Sequence, residues 1–252
     1  VEIYIARARV PLLTYALIAV NALAFLAEAL VGQDSAIERL GLVPLRIIKG
    51  KALYTLVTSM FLHADFLHIL FNMWALFIFG RDLEMILGRA RYALLYFASG
   101  LAAGLSYCFY SYYLSPLPFA PLIPAIGASG AIFGVMAAFM LFFPKRPLAL
   151  FVFFFPLVAP AYAIILFMAL VQTLEALALP FSPIAYTAHL GGFALGLLLG
   201  ALFRAEAKRE AYRGYFEWAG ALHRTTNVVW PTILAAGLVA PSFTSSLLCN
   251  SS

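Results

Sequence analysis

Ser129 stands in Gly127-Ala128-Ser129-Gly130 at the head of an apolar stretch, and His189 opens another one sixty residues later. A serine paired with a histidine can act as nucleophile and general base in acyl transfer. Pro124-Ala125-Ile126 breaks the chain before Gly127, and Ala131–Phe143 continues as an uninterrupted apolar helix, which puts Ser129 in or beside its first turn. Unpaired backbone N–H groups and the positive dipole end then lie close to the hydroxyl. Gly130 and Gly134 follow at helical spacing and let another backbone approach that face. An isolated motif of this kind in an apolar helix would ordinarily be read as packing. His189 changes the reading, because Gly192, Gly196 and Gly200 fall at i+3, i+7 and i+11 and so share its helix face. If the two glycine faces pack together, Ser129 and His189 meet at the same end of one interface.

A third cluster, His63-x4-His68-x3-Asn72, opens a further apolar stretch. His68 and Asn72 are four residues apart and share a face. A buried Asn amide and a His N–H are suitable oxyanion donors, to which the backbone amides of Ser129 and Gly130 can add. Two other readings stand beside this one. Asn72 could make an interhelical hydrogen bond, and three histidines at one depth could hold a metal. The second ranks low, because no His-Glu-x-x-His element and no carboxylate at ligand spacing accompanies them. No metal and no other cofactor is expected.

The elements that must position these groups are membrane helices. The chain is 64% hydrophobic and 11% charged, against about 45–50% and about 25% in soluble domains. Val10–Val31 is too long for a signal-peptide core and reads as the first span, with five more near 66–80, 91–114, 128–143, 147–172 and 185–203. Arg7 and Arg9, then Arg81, Arg89 and Arg91, then Lys145 and Arg146, then Arg204, Lys208, Arg209 and Arg213 all fall on one side if the N-terminus is cytoplasmic. Ser129, His189 and His68 then open their spans from the outer side. Arg39, Arg46, Lys49 and Lys51 lie on that side too, in a segment from Ile37 to Leu56 whose mixed composition predicts short interfacial helices. The net charge of +5 is thus a matter of topology, and nothing in it points to nucleic acid.

The expected fold is all-α, a polytopic membrane helical bundle. Residues 1–204 form a six-span core, and 205–252 form a cytoplasmic interfacial segment, Ala205–Asn227, with a candidate seventh span at Val228–Leu248. Pro231 and Pro241 count against that last span. Cys108 and Cys249 suggest neither a disulfide framework nor a metal site. No repeated half marks a transporter.

The ordered set His63…His68-x3-Asn72, Gly80-x3-Glu84-x3-Gly88, Gly127-x-Ser129-Gly130 and His189-x2-Gly192-x3-Gly196 resembles the rhomboid family of intramembrane serine proteases over roughly residues 10–204. The resemblance implies a Ser129–His189 dyad without an aspartate, an oxyanion site from His68, Asn72 and the Ser129 amide, and Phe133 as a ring supporting the histidine. His63, Gly127, Glu84, Gly192 and Gly196 carry over as supporting positions. Single-span or polytopic transmembrane proteins are the implied substrates, cleaved within the lipid bilayer near the outer face, and a prokaryotic plasma membrane is the implied location. Span five, with Phe151, Phe153, Phe154 and Phe155 and then Pro156 and Pro160, takes the place of a lateral gate. One departure is the absence of the Trp-Arg pair that many relatives carry in the outer segment. The alternative is an inactive rhomboid-like protein that binds membrane clients, although such relatives lack the nucleophile or the histidine.

Overall fold

The computed structural model describes residues 10–152, 155–178, 186–207 and 209. The chain divides into two compact units, Val1–Arg204 and Ala205–Ser252. The candidate seventh span, Cys249 and nearly all of the interfacial segment after residue 207 lie outside the described residues, as do Arg7 and Arg9.

The architecture is mostly helical. The first span is α1, Leu12–Val31. Three short helices follow, α2 (Gln33–Leu40), α3 (Pro44–Ile48) and α4 (Thr55–Thr58), where mixed basic and apolar residues predict interfacial helices. Next, α5 (Phe66–Ala75) runs through one π-helical turn, Leu76–Gly80, into α6 (Arg81–Leu87), so that the second span is continuous to residue 87. Then come α7 (Arg89–Phe109), α8 (Ser129–Phe142), a two-stranded hairpin of β1 (Pro147–Val152) and β2 (Phe155–Pro160), α9 (Ala161–Ala178) and α10 (Tyr186–Ala207). Among the described residues, four helices are long and apolar enough to cross a membrane: α1, the continuous α5–α6, α7 with its extension to Leu114, and α10.

The core forms around α8. Its residues Gly130 to Met140 are all buried, and Leu76, Leu83, Tyr92, Leu95, Tyr96, Val135 and Phe139 pack into one cluster. Large apolar side chains point the other way, with Leu23, Leu30, Phe71 and Trp74 exposed. In a bilayer that outer face meets lipid instead of water, so its exposure carries no penalty. Helix α8 has 14 residues and rises only about 21 Å, short of a hydrocarbon core of about 30 Å. One of its ends must therefore stop below the membrane surface. The irregular backbone leading to Ser129 is tolerable there because protein satisfies it. Leu42 and Ala125 exchange two backbone hydrogen bonds of 3.1 and 2.9 Å, and the Gly127 amide donates to the Ser59 carbonyl at 2.8 Å.

Pro147–Pro160 is not helical, which corrects the expected span five at 147–172 and the all-α reading. The strands pair antiparallel, with Pro147 opposite Pro160 and Phe151 opposite Pro156. Prolines at 147, 156 and 160 remove the donors a helix needs, while Phe and Val favour extended backbone. A two-stranded ribbon has only edge strands, where proline is tolerated. Helix α9 begins afterwards, tied to the C-terminal end of α8 by Ala161 N–H to the Arg146 carbonyl (2.8 Å) and Tyr162 N–H to the Pro144 carbonyl (3.1 Å). Phe151 and Phe155 are thus on hairpin strands that follow the end of α8 opposite Ser129, and not on a helix as the expected span five had them. Phe153 and Phe154 lie outside the described residues.

That same end gathers charge. Arg146 pairs with Asp82 and lies over the rings of Phe139 and Phe143 at 5.7 and 5.6 Å. Glu84, 2% exposed, accepts the α1 amides of Leu13 at 3.0 Å and Thr14 at 2.7 Å and the Thr14 hydroxyl at 2.7 Å. It caps the first turn of α1, whose own N-cap residue, Pro11, offers no side-chain bond. Replacing Glu84 by alanine strands three donors, of which the two on Thr14 are buried and each worth ~1–3 kcal/mol when unmet. The expected outcome is a clearly lowered Tm in detergent. An unchanged Tm would mean that water reaches those donors equally well.

Candidate active site

Ser129 is the first residue of α8, and the first intrahelical bond there runs from Ile132 N–H to the Ala128 carbonyl at 3.0 Å. The amides of the first turn have no acceptor within the helix and remain available to an incoming oxygen. Gly127 just before it has φ 120°, a conformation that favours glycine. A Cβ there would also come within 2.9 Å of His68 Nε2.

Helix α10 delivers the partner. Ser129 Oγ and His189 Nε2 are 2.7 Å apart. The approach depends on glycine backbones. A Cβ at Gly192 would overlap the Gly130 carbonyl oxygen, one at Gly196 would overlap Gly134, and one at Gly200 would lie 2.8 Å from Ala138 Cα. Such contact is possible only between bare backbones. The two glycine faces therefore meet as their spacing predicts. Phe133, one turn along α8, stacks on the His189 ring with centroids 4.5 Å apart and planes at 4°.

From α5, His68 turns Nε2 toward the Gly127–Ser129 turn. The Ala64 amide donates to His68 Nδ1 at 3.2 Å, so the neutral ring, assigned from this network, carries its proton on Nε2 and can donate toward the site. Asp65 caps α5 through the His68 amide at 2.8 Å. Asn72 is buried and gives one amide hydrogen to the His68 carbonyl at 2.8 Å, keeping a second. His63 is fully buried and packs edge-on against His68 with ring centroids 5.1 Å apart. Burial first, and then the neighbouring His68, lower its pKa to about 4, which keeps it neutral. Its backbone is held by Glu28, which accepts its amide at 3.4 Å, and by Gln33, which donates to its carbonyl at 2.9 Å. His63 thus packs beside His68 with its backbone fixed. Among the described residues no three His, Cys, Asp or Glu side chains converge on a common point.

Glu84, carried over as a supporting position, stands apart from this cluster, sixteen residues beyond His68 on one continuous helix, about 24 Å along the axis. The imidazole is held by more than its stacking on Phe133. His189 Nδ1 is hydrogen-bonded to Gln172 Oε1, and Gln172 Nε2 donates to Glu175 Oε2 at 2.8 Å. Both residues sit on α9. The signal in the sequence is a Gln and a Glu three residues apart near the end of an otherwise apolar helix, and it becomes legible only once α9 is known to start at Ala161.

A profile of the Rhomboid domain matches residues 50–206, which contain every residue of this cluster. The chain belongs to the rhomboid family. It is 35% identical over 160 residues to "Rhomboid protein 1, mitochondrial" of Saccharomyces cerevisiae, covering 63% of this chain and 44% of that one. It is also 32% identical over 182 residues to "RHOMBOID-like protein 1" of Arabidopsis thaliana (71% and 41%) and 32% identical over 133 residues to "Rhomboid protease GluP" of Bacillus subtilis (52% and 24%). The matches span less than half the length of each of these relatives. Rhomboid membership and the apolar helices make this an integral membrane protein, and serine proteolysis is an activity of the family. Relatives with mitochondrial and bacterial names both match, so membership establishes insertion in a membrane without choosing which.

Proposed function

We propose that this rhomboid is an intramembrane serine endopeptidase that cleaves transmembrane helices with a Ser129–His189 pair. The 2.7 Å contact between Ser129 Oγ and His189 Nε2 carries the reading, because it is the geometry general-base catalysis requires. The neutral imidazole takes the hydroxyl proton as Oγ attacks the scissile carbonyl carbon. The resulting oxyanion accepts hydrogen bonds from His68 Nε2–H, the remaining Asn72 N–H and the first-turn amides of Ser129 and Gly130. His189 returns the proton to the leaving amine, which departs as the acyl-enzyme forms. Water, deprotonated by His189, then hydrolyses the ester and frees Ser129. Phe133 holds the ring throughout by stacking.

We place the N-terminus on the cytoplasmic side and the site toward the outer face, in a six-span core where α8 and α9 are the short spans. A membrane helix keeps its carbonyls hydrogen-bonded along its axis, and lipid offers no replacement. Substrates must therefore unwind before attack, which favours Gly, Ser, Ala or Pro near the outer end of the cleaved helix.

The test is labelling by a fluorophosphonate probe in detergent, with Ser129→Ala alongside. Covalent labelling of the wild type that disappears in the variant supports the reading. No labelling of a folded wild type, together with no cleavage of any transmembrane substrate, would support the client-binding alternative instead. A second prediction separates the oxyanion donors. His68→Ala is expected to reduce kcat by on the order of 10²–10³, and Asn72→Ala by less, because one of its hydrogens is already given to the His68 carbonyl. An effect confined to KM would assign both residues to docking.

A further inference from the structure

The base of the pair has two nitrogens, and only one tautomer works. To accept the Ser129 proton, Nε2 must be bare and Nδ1 must carry the hydrogen. A free neutral imidazole in water prefers the opposite arrangement, so something must hold the less favoured one. Stacking on Phe133 fixes the ring plane but is indifferent to which nitrogen is protonated.

Gln172 settles this only if its amide faces the right way round. Its Oε1 toward Nδ1 demands a proton there, whereas its NH₂ group in the same place would demand the reverse. Glu175, three residues later on α9, removes the ambiguity. Its Oε2 accepts from the Gln172 NH₂ at 2.8 Å, which turns Gln172 Oε1 to the imidazole. The spacing is the one at which helical side chains meet. Resting on the protease reading, we infer that Gln172 and Glu175 are positioning residues that fix His189 as the Nδ1–H tautomer through a Glu175–Gln172–His189–Ser129 chain. The chain also sets a carboxylate two hydrogen bonds from the imidazolium that forms as Ser129 attacks. It takes the part that a carboxylate directly on the histidine plays in a triad. Ser129 and His189 are joined by the α8–α10 backbone contact, and their orienting groups come from a third helix.

The experiment uses the full chain in detergent, with three variants: Gln172→Leu, Gln172→Glu, and the exchange Gln172→Glu with Glu175→Gln. One readout is the ¹⁵N NMR spectrum of labelled histidine. The chain has four histidines, so His189→Ala identifies the resonances in question. The second is the split between kcat and KM on a transmembrane substrate. Expected are a protonated Nδ1 and bare Nε2 in the wild type and loss of that preference in Gln172→Leu. The same variant should show a fall of about 10²-fold in kcat with KM within about twofold. Gln172→Glu alone sets two carboxylates side by side and should be impaired. The exchange keeps one acceptor facing Nδ1 and one amide behind it, and should recover most of the turnover. A wild-type His189 protonated on Nε2, or a Gln172→Leu enzyme with unchanged kcat, would overturn the inference while leaving the protease reading intact. A wild type that neither labels nor cleaves would overturn the protease reading, and with it the catalytic meaning of the chain. The NMR result would then still decide the tautomer.

Discussion

Replacing Ser129 or His189 by alanine is expected to abolish cleavage of a transmembrane substrate, a loss of at least ~10⁴ in kcat, while Tm in detergent stays near that of the wild type. The two changes should also be non-additive. A nucleophile and its base act as one unit, so removing either eliminates nearly the whole covalent route and removing both adds little. What survives is whatever the oxyanion donors and substrate positioning achieve without covalent attack. Neither truncation is expected to unfold the protein. Ser129 and His189 are half-buried, and α8 and α10 are joined by glycine backbone contacts that neither side chain supplies. Residual turnover above a few per cent in either variant would mean that another group attacks the carbonyl. Loss of Tm in step with activity would mean that the pair is a packing contact.

The meeting of Ser129 and His189 was legible in the sequence because it depends on backbone periodicity, which residue spacing reports directly. Glycines at i+3, i+7 and i+11 after His189 must line one face, and the structure puts that face on Gly130 and Gly134. Long apolar runs made the membrane helices equally readable, with α1, α7 and α10 each within a few residues of expectation. Span five was not, and the reason is local. Pro147–Pro160 is as apolar as any span, so hydropathy cannot separate it from a helix. Its prolines and aromatic residues decide for a hairpin and displace the next helix by fourteen residues. That displacement hid Gln172, which falls at the far end of a span drawn from 147 to 172 but well inside one that begins at Ala161. Glu84 was readable only as a supporting position of a motif, and its place in the bundle was hidden for a different reason. Membership of a motif gives no depth, and a carboxylate on the second span can cap α1 at one end of the bundle or join a polar cluster at the other.

Adding a single methyl group at Gly196 is expected to lower the proposed activity sharply without touching either reacting group. In Gly196→Ala the new Cβ would lie on top of the Gly134 backbone, and in Gly192→Ala it would overlap the Gly130 carbonyl oxygen. Backbone atoms cannot rotate aside as a side chain can, so relief must come from moving α10 away from α8. A shift of about 1 Å lengthens the Ser129–His189 hydrogen bond beyond useful reach, and misplacement of that size can lower turnover by ~10². Overpacking adds roughly 1–3 kcal/mol of lost stability. Gly104→Ala is the matched control on a neighbouring helix. Its Cβ would meet Leu42 Cδ1 at 2.8 Å and Leu56 Cδ2 at 3.2 Å, both at the ends of side chains that can swing clear. Near-normal kcat and Tm are expected there, against a large fall in kcat for Gly196→Ala that exceeds what its Tm shift explains. If Gly196→Ala turned over substrate like the wild type, close backbone approach would not be what holds base to nucleophile, and the glycine stripe would lose its catalytic meaning.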